Sequence, residues 1–237
     1  MLTNRREAGR LLARELAPYA KRPDVTVLGL PRGGMPVAYE VARALSVPLD
    51  VFPVRRLALA AAPDTLLGVV APGGIRVFDH EALARHRVSH AQVQALAIRE
   101  ERELGRRWRD YTRGRPPEDV RGKTVILIDD GATTGATLRA AALALRDLPA
   151  TIVVGIPISP AGVCDLLRTR VDAVLCLMTP APFESIARGY EFFAPTSDGE
   201  VRELLAMARE RDARHAPVEP TADVPPRSSR RPAFESF

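Results

Sequence analysis

Four consecutive branched apolar residues, Val125-Ile126-Leu127-Ile128, run straight into Asp129-Asp130 and then into Gly131-Ala132-Thr133-Thr134-Gly135-Ala136-Thr137. An apolar run without alternation reads as a strand buried on both faces. Such strands belong to parallel sheets, whose connections require crossover helices that cover the faces. The alanine-rich stretch Leu138 to Leu145 reads as the helix that follows. Strand, paired carboxylates, small-residue loop and helix start then suit a phosphorylated sugar. Backbone N–H groups and hydroxyls at the helix start would hold a phosphate. Asp129 and Asp130 would accept hydrogen bonds from sugar hydroxyls.

The rest of the chain supports a doubly wound α/β reading. Thr3 to Tyr19 carries Ala8, Leu11, Leu12, Leu16 and Tyr19 on one helical face. Val25 to Leu30 reads as a buried strand that breaks at Pro31-Arg32-Gly33-Gly34, with a helix to Leu45 and a second strand from Leu49 to Val54. Thr65 to Val70 and Ile75 to Phe78, joined by Ala71-Pro72-Gly73-Gly74, read as an antiparallel hairpin. Ser89 with Gln92 is a capping box opening a long helix from about Ala91 to Tyr111. Val93, Ala97, Leu104, Trp108 and Tyr111 share one of its faces, and Arg99, Arg102, Arg106, Arg109 and Arg113 lie opposite. A solvated face paired with acids, for instance Glu103 with Arg107 at i, i+4, is the plainer account of these arginines. The sheet resumes at Thr124. A helix spans 136 to 147, a strand Ala150 to Ile156, and Ser159-Pro160 reads as an N-cap and first-turn pair for a helix to Thr169. Ala173 to Leu177 is the last strand and Asp198 to Arg211 a closing helix.

Composition narrows the classes. At 237 residues and 46% hydrophobic, the chain can bury one substantial core. No run approaches the ~18 apolar residues of a membrane span, and Met1 to Arg14 lacks a signal-peptide core. Cys164 and Cys176 fall in different predicted elements, so the reading is unpaired thiols in a reducing cytoplasm. His80, His86, His90 and His215 suggest no metal cluster; Ser89 separates His86 from the helix of His90. The net charge of +5 comes almost wholly from arginine and does not define a nucleic-acid site.

Apolar strand, Asp129-Asp130, three variable residues, then Thr134-Gly135-Ala136-Thr137 resembles the PRPP-binding signature of type I phosphoribosyltransferases. A Walker A loop is excluded because no Lys follows Gly135, and a Rossmann dinucleotide fingerprint because the glycine spacing differs. The resemblance implies that family's fold, a Rossmann-like parallel sheet with helices on both faces, here with the hairpin and long helix inserted as a hood over about residues 57–122 of a domain spanning 1–211. Residues 212–237, rich in Pro, Ser and Arg, are expected to be disordered.

The resemblance further implies PRPP with Mg²⁺, transfer of the phosphoribosyl group to a nitrogenous base, and release of pyrophosphate. Asp129 and Asp130 would clamp the ribose hydroxyls, directly or through Mg²⁺. Gly131, Ala132, Thr133, Thr134, Gly135, Ala136 and Thr137 would hold the 5′-phosphate. Arg32, Gly33 and Gly34 would hold the pyrophosphate, with a cis peptide near Pro31-Arg32. Arg55 and Arg56 would add cationic and catalytic help at the head of a mobile loop. That loop departs from the family pattern: Leu57 to Pro63 is nearly all Ala and Leu, without the expected Gly. The hairpin and the aromatic segment Phe183 to Phe193 are the candidates for a base pocket, core packing being the plainer role for the aromatics. Expected partners are small molecules and a second copy in a homodimer, with neither nucleic acid nor membrane. A non-catalytic PRPP or nucleotide sensor acting on RNA or a protein, using the arginine stripe, is the alternative, and a decayed partner-binding domain the third.

Overall fold

The computed structural model describes residues 1–59, 65–146, 148 and 151–215. In chain order it forms α1 (Arg5–Glu15), β1 (Val25–Gly29), α2 (Gly34–Leu45), β2 (Leu49–Val51), β3 (Arg55–Leu57), β4 (Gly68–Ala71) and β5 (Ile75–Phe78). There follow α3 (His80–Arg85), α4 (His90–Thr112), β6 (Thr124–Ile128), α5 (Ala136–Leu145), β7 (Thr151–Ile158), α6 (Ala161–Arg168), β8 (Ala173–Met178) and α7 (Asp198–His215).

Five strands pair in parallel in the order β2-β1-β6-β7-β8. The apolar run of β6 is continuous because both of its faces are covered. Ile126 and Ile128 enter the core shared with α1, α2 and α7, whereas Val125 and Leu127 enter the core shared with α5 and α6. Each such side chain contributes about 1.5–3 kcal/mol on burial. From β1 the chain passes to β2 on one side and later resumes at β6 on the other, so the topological switch point lies between β1 and β6. Their register pairs Gly29 with Ile128, which sets the loops after both strands side by side at the carboxyl edge.

The inserted hood is an antiparallel sheet, β3-β4-β5, covered by α3 and α4. It has its own core of Leu57, Leu67, Val70, Val93, Ala97 and Leu104. The capping box forms as read: Gln92 N–H donates to Ser89 Oγ at 3.3 Å, and Ser89 N–H donates to Gln92 Oε1 at 2.8 Å. Arg99, Arg102, Arg106 and Arg109 are exposed, and Arg113 is the left-handed C-cap. Parts of this stripe are neutralised by acids, Arg99 by Glu100 at 3.0 Å and Arg106 by Glu103 at 2.9 Å. Glu103 thus takes Arg106, one residue nearer than the expected Arg107.

Several expectations need correction. Cys164 and Cys176 form a disulfide, because α6 packs directly on β8 and brings their Cα atoms to 6.7 Å. The inference of a reducing compartment therefore loses its basis. Ser159 does not cap α6. It still follows the sheet, its N–H bonded to Met178 O, and its buried hydroxyl has no partner among the described residues, while Pro160 occupies the N-cap. The second strand ends at Val51, and Arg55–Leu57 forms a separate strand paired with β4. The first helix ends at Glu15, and α7 continues to His215, so residues 212–215 are helical. The rest of the expected tail lies outside the described residues, as do residues 60–64 of the alanine-rich loop and positions 147, 149 and 150.

Urea unfolding should rank these elements. Leu127→Ala, in the fully buried strand, is expected to cost about 2–5 kcal/mol, and Ser89→Ala, at the exposed cap, about 1 kcal/mol. Equal losses from the two would contradict the assignment of Leu127 to a two-sided core.

Candidate active site

Two loops meet at the switch point. After β1, Leu30 N–H donates to Ile128 O at 2.9 Å, tying the first loop to the end of β6. The Pro31–Arg32 peptide is cis, as the resemblance implied. Gly33 is the N-cap of α2 and has no capping side chain. Its φ of −61° is ordinary, so glycine is not needed for conformation. Proximity demands it instead. A Cβ on Gly33 would lie 2.1 Å from Asp130 Oδ2, and one on Gly34 would lie 2.9 Å from Asp129 Cα.

The acidic pair divides its duties. Asp129 is partly exposed, and its Oδ1 accepts from Asp130 N–H at 2.9 Å. Asp130 is only 8% exposed. Its Oδ2 accepts from Arg5 Nε at 2.7 Å, and its carbonyl accepts from the Tyr190 hydroxyl at 2.6 Å. Arg5 also donates to Ala194 O at 2.6 Å and lies 3.8 Å over the Phe193 ring, which stacks on Tyr190. Burial, followed by the neighbouring Asp130 charge, pushes the Asp129 carboxyl well above its ordinary value.

The motif loop completes the edge. A side chain on Gly131 would meet Ile186, and Ala132 N–H is committed to Ile158 O at 3.0 Å, so Ala132 does not offer its N–H to a ligand. Gly135, the N-cap of α5, has φ +66°, a left-handed conformation suited to glycine, and provides no capping side chain. Thr133, Thr134 and Thr137 are exposed around this helix start, and Ala136 follows as its first residue. The N-termini of α2 and α5 both lie at this sheet edge. Gly34 and Met35 N–H donate to Leu30 O at 3.1 Å and Arg32 O at 3.2 Å, and Ala136 N–H donates to Thr134 Oγ1 at 3.4 Å, so what the two termini offer an anion is chiefly the positive end of each helix.

The Arg55 guanidinium pairs with buried Glu100 at 2.5 Å, which pins β3 to α4. Arg55 and Arg56 line a cavity of about 790 Å³ together with Val54, Gln92, Leu96 and Thr137, so this space joins the hood to the motif helix. Among the described residues, the hairpin β4–β5 contributes nothing to the lining of that cavity. Phe183 and Phe193 pack against the main core and Tyr190 is buried, the plainer role; Phe192 is exposed. Arg5 and Glu100 escaped the sequence reading, and so did the bond from the Tyr190 hydroxyl to Asp130, because each reaches its partner across a long separation that no local spacing marks.

The molecule belongs to the phosphoribosyl transferase domain family, whose model matches residues 2–158. It is 37% identical over 226 residues to Rv0571c of Mycobacterium tuberculosis, a protein whose name places it provisionally among the phosphoribosyl transferases. That alignment covers 95% of this chain and 51% of the relative, so the chain spans about half the length of its curated relative. TT1426 from Thermus thermophilus, a solved structure, superposes with a TM-score of 0.79 at 35% identity, over 87% of this chain and 99% of that one. Among the described residues, no helix is long and apolar enough to cross a membrane.

One contact near the first loop yields a pH test. Tyr111 of α4 donates to Asp198 of α7 at 2.7 Å, and burial together with this acceptor pushes the phenol up to about 12. Arg32 and Arg107 act in the opposite direction. A raised folded-state value means that the contribution is complete below pH ~10, the unfolded value, and fades as pH climbs toward the folded one. Parent and Tyr111→Phe should therefore differ in the slope of stability against pH between ~10 and ~12, by on the order of 2 kcal/mol across the window. Parallel curves in chemical denaturation would refute the contact.

Proposed function

We propose that this protein binds PRPP with Mg²⁺ and transfers the phosphoribosyl group to a nitrogenous base, releasing pyrophosphate. The observation that carries this reading is the convergence of two helix N-termini on the Asp129–Asp130 turn, that of α5 beside the exposed hydroxyls of Thr133, Thr134 and Thr137. The positive ends of two helices suit phosphates at both ends of a ligand, and a ribose between them needs hydroxyl acceptors.

In this assignment the exposed edge of Asp129 takes the ribose hydroxyls, with Asp130 behind it. The loop from Gly131 to Thr137, through its free N–H groups and the hydroxyls of Thr133, Thr134 and Thr137, holds the 5′-phosphate. Arg32, Gly33 and Gly34 hold the pyrophosphate, and Arg56 faces it from the hood cavity that receives the base. The donor set fits Mg²⁺ shared with substrate. Carboxylate oxygens stand at the edge, and no group of three or more potential metal-ligating side chains gathers among the described residues. The ion would therefore draw most of its ligands from phosphate, sugar and water oxygens. When bound, it would neutralise charge on the departing pyrophosphate.

The bond between the anomeric carbon and the pyrophosphate oxygen breaks, its electron pair leaving with pyrophosphate, and a bond from that carbon to the base nitrogen forms, the proton on that nitrogen passing to solvent. Cationic character on the ribose in between favours a fixed carboxylate below it and fixed donors around the leaving group. Positioning and electrostatics supply the rate. Two of the five arginines in the stripe that the sensor alternative would use, Arg99 and Arg106, are paired with acids, which weakens its support.

Incubation with PRPP, Mg²⁺ and a panel of purines, pyrimidines and related heterocycles should release pyrophosphate with at least one base. Asp129→Asn should lower kcat/KM by at least about 100-fold, the scale of losing one preorganised electrostatic contact, with little change in melting temperature. Background release with every base would contradict transfer. If PRPP also failed to raise the melting temperature, binding itself would be contradicted.

A further inference from the structure

We propose that Arg5, at the start of α1, is a positioning residue for the ribose-phosphate site: it holds Asp130 against Gly33 and so keeps Asp129 and the motif loop in their ligand-binding arrangement. The inference rests on the reading that this cleft binds PRPP.

Arg5 is held at three points. Nε meets Asp130 Oδ2 at 2.7 Å, Nη1 meets Ala194 O at 2.6 Å, and the plane lies 3.8 Å over the Phe193 ring. Its side chain is 11% exposed and that of Asp130 12%, so water screens the pair poorly. Gly33 closes on the same carboxylate, where even a methyl group would collide with Oδ2. The Tyr190 hydroxyl fixes the Asp130 carbonyl, and Ile186 abuts Gly131. Asp130 is thus clamped from α1, from the segment before α7 and from the first loop.

Removing Arg5 leaves a nearly buried carboxylate without its cation. Swinging toward the cleft would rehydrate it, but there it would repel the phosphates of the ligand. With Arg5 present, its charge is offset and Asp129 presents the acidic edge alone. A planar, multiply bonded arginine is replaced only in part by lysine, which supplies the charge but not the fork or the stacking face.

The alternative is that Arg5 merely fastens α1 to the sheet. Leu16, 1% exposed at the other end of the same helix, separates the two. Titration calorimetry with PRPP and Mg²⁺, paired with thermal melts, should be run on the parent, Arg5→Gln, Arg5→Lys and Leu16→Ala. Arg5→Gln is expected to weaken PRPP binding by at least about tenfold, and Arg5→Lys to recover part of that loss. Leu16→Ala should lower the melting temperature as much, yet hold affinity within about twofold. Arg5→Gln binding within about twofold of the parent would overturn the positioning role while leaving the cleft reading intact, and so would equal weakening by Leu16→Ala. A parent that does not bind PRPP would overturn both.

Discussion

Everything at the carboxyl edge depends on two close approaches, Gly33 against the Asp130 carboxylate and Gly34 against the backbone of Ile128 and Asp129. The parallel register of β1 and β6 brings the two loops level, but only missing side chains let them close. That closure places the N-termini of α2 and α5 on a common cleft. It also traps one carboxylate of the acidic pair and leaves its neighbour at the surface. The sheet supplies the rigid frame on which both loops are held.

The surrounding shell is as consequential as the two loops. α1 sends Arg5 beneath Asp130, and the segment before α7 adds Tyr190 and Phe193. On the far side, Tyr111 and Asp198 join α4 to α7 beside Arg32. Arg55 and Glu100 couple the small sheet to α4, which gives the hood a stiff wall against the motif helix. Arginines that look alike in the sequence therefore sort into those that set geometry and those that face solvent.

Much of this was legible beforehand, and the reasons are physical. The two-sided burial of β6 leaves an uninterrupted apolar run, the capping box announces α4, and Asp129-Asp130 with Thr134 to Thr137 carries a family pattern at fixed spacing. Arg32 to Gly34 could be placed at the same edge because crossover helices force parallel order. The Cys164–Cys176 bond, the Arg5–Asp130 pair and the separate strand Arg55–Leu57 were not legible. Each depends on which elements lie side by side, and periodicity says nothing about that. The pairing of Arg55 in particular reaches an acid on a separate helix.

The most direct measurement is a crystal structure of the protein with PRPP and Mg²⁺. The account predicts the 5′-phosphate at the start of α5, ribose hydroxyls within hydrogen-bond reach of Asp129, and pyrophosphate against Arg32 to Gly34. Ligand density at another surface, or a 5′-phosphate away from Thr133 to Thr137, would contradict it.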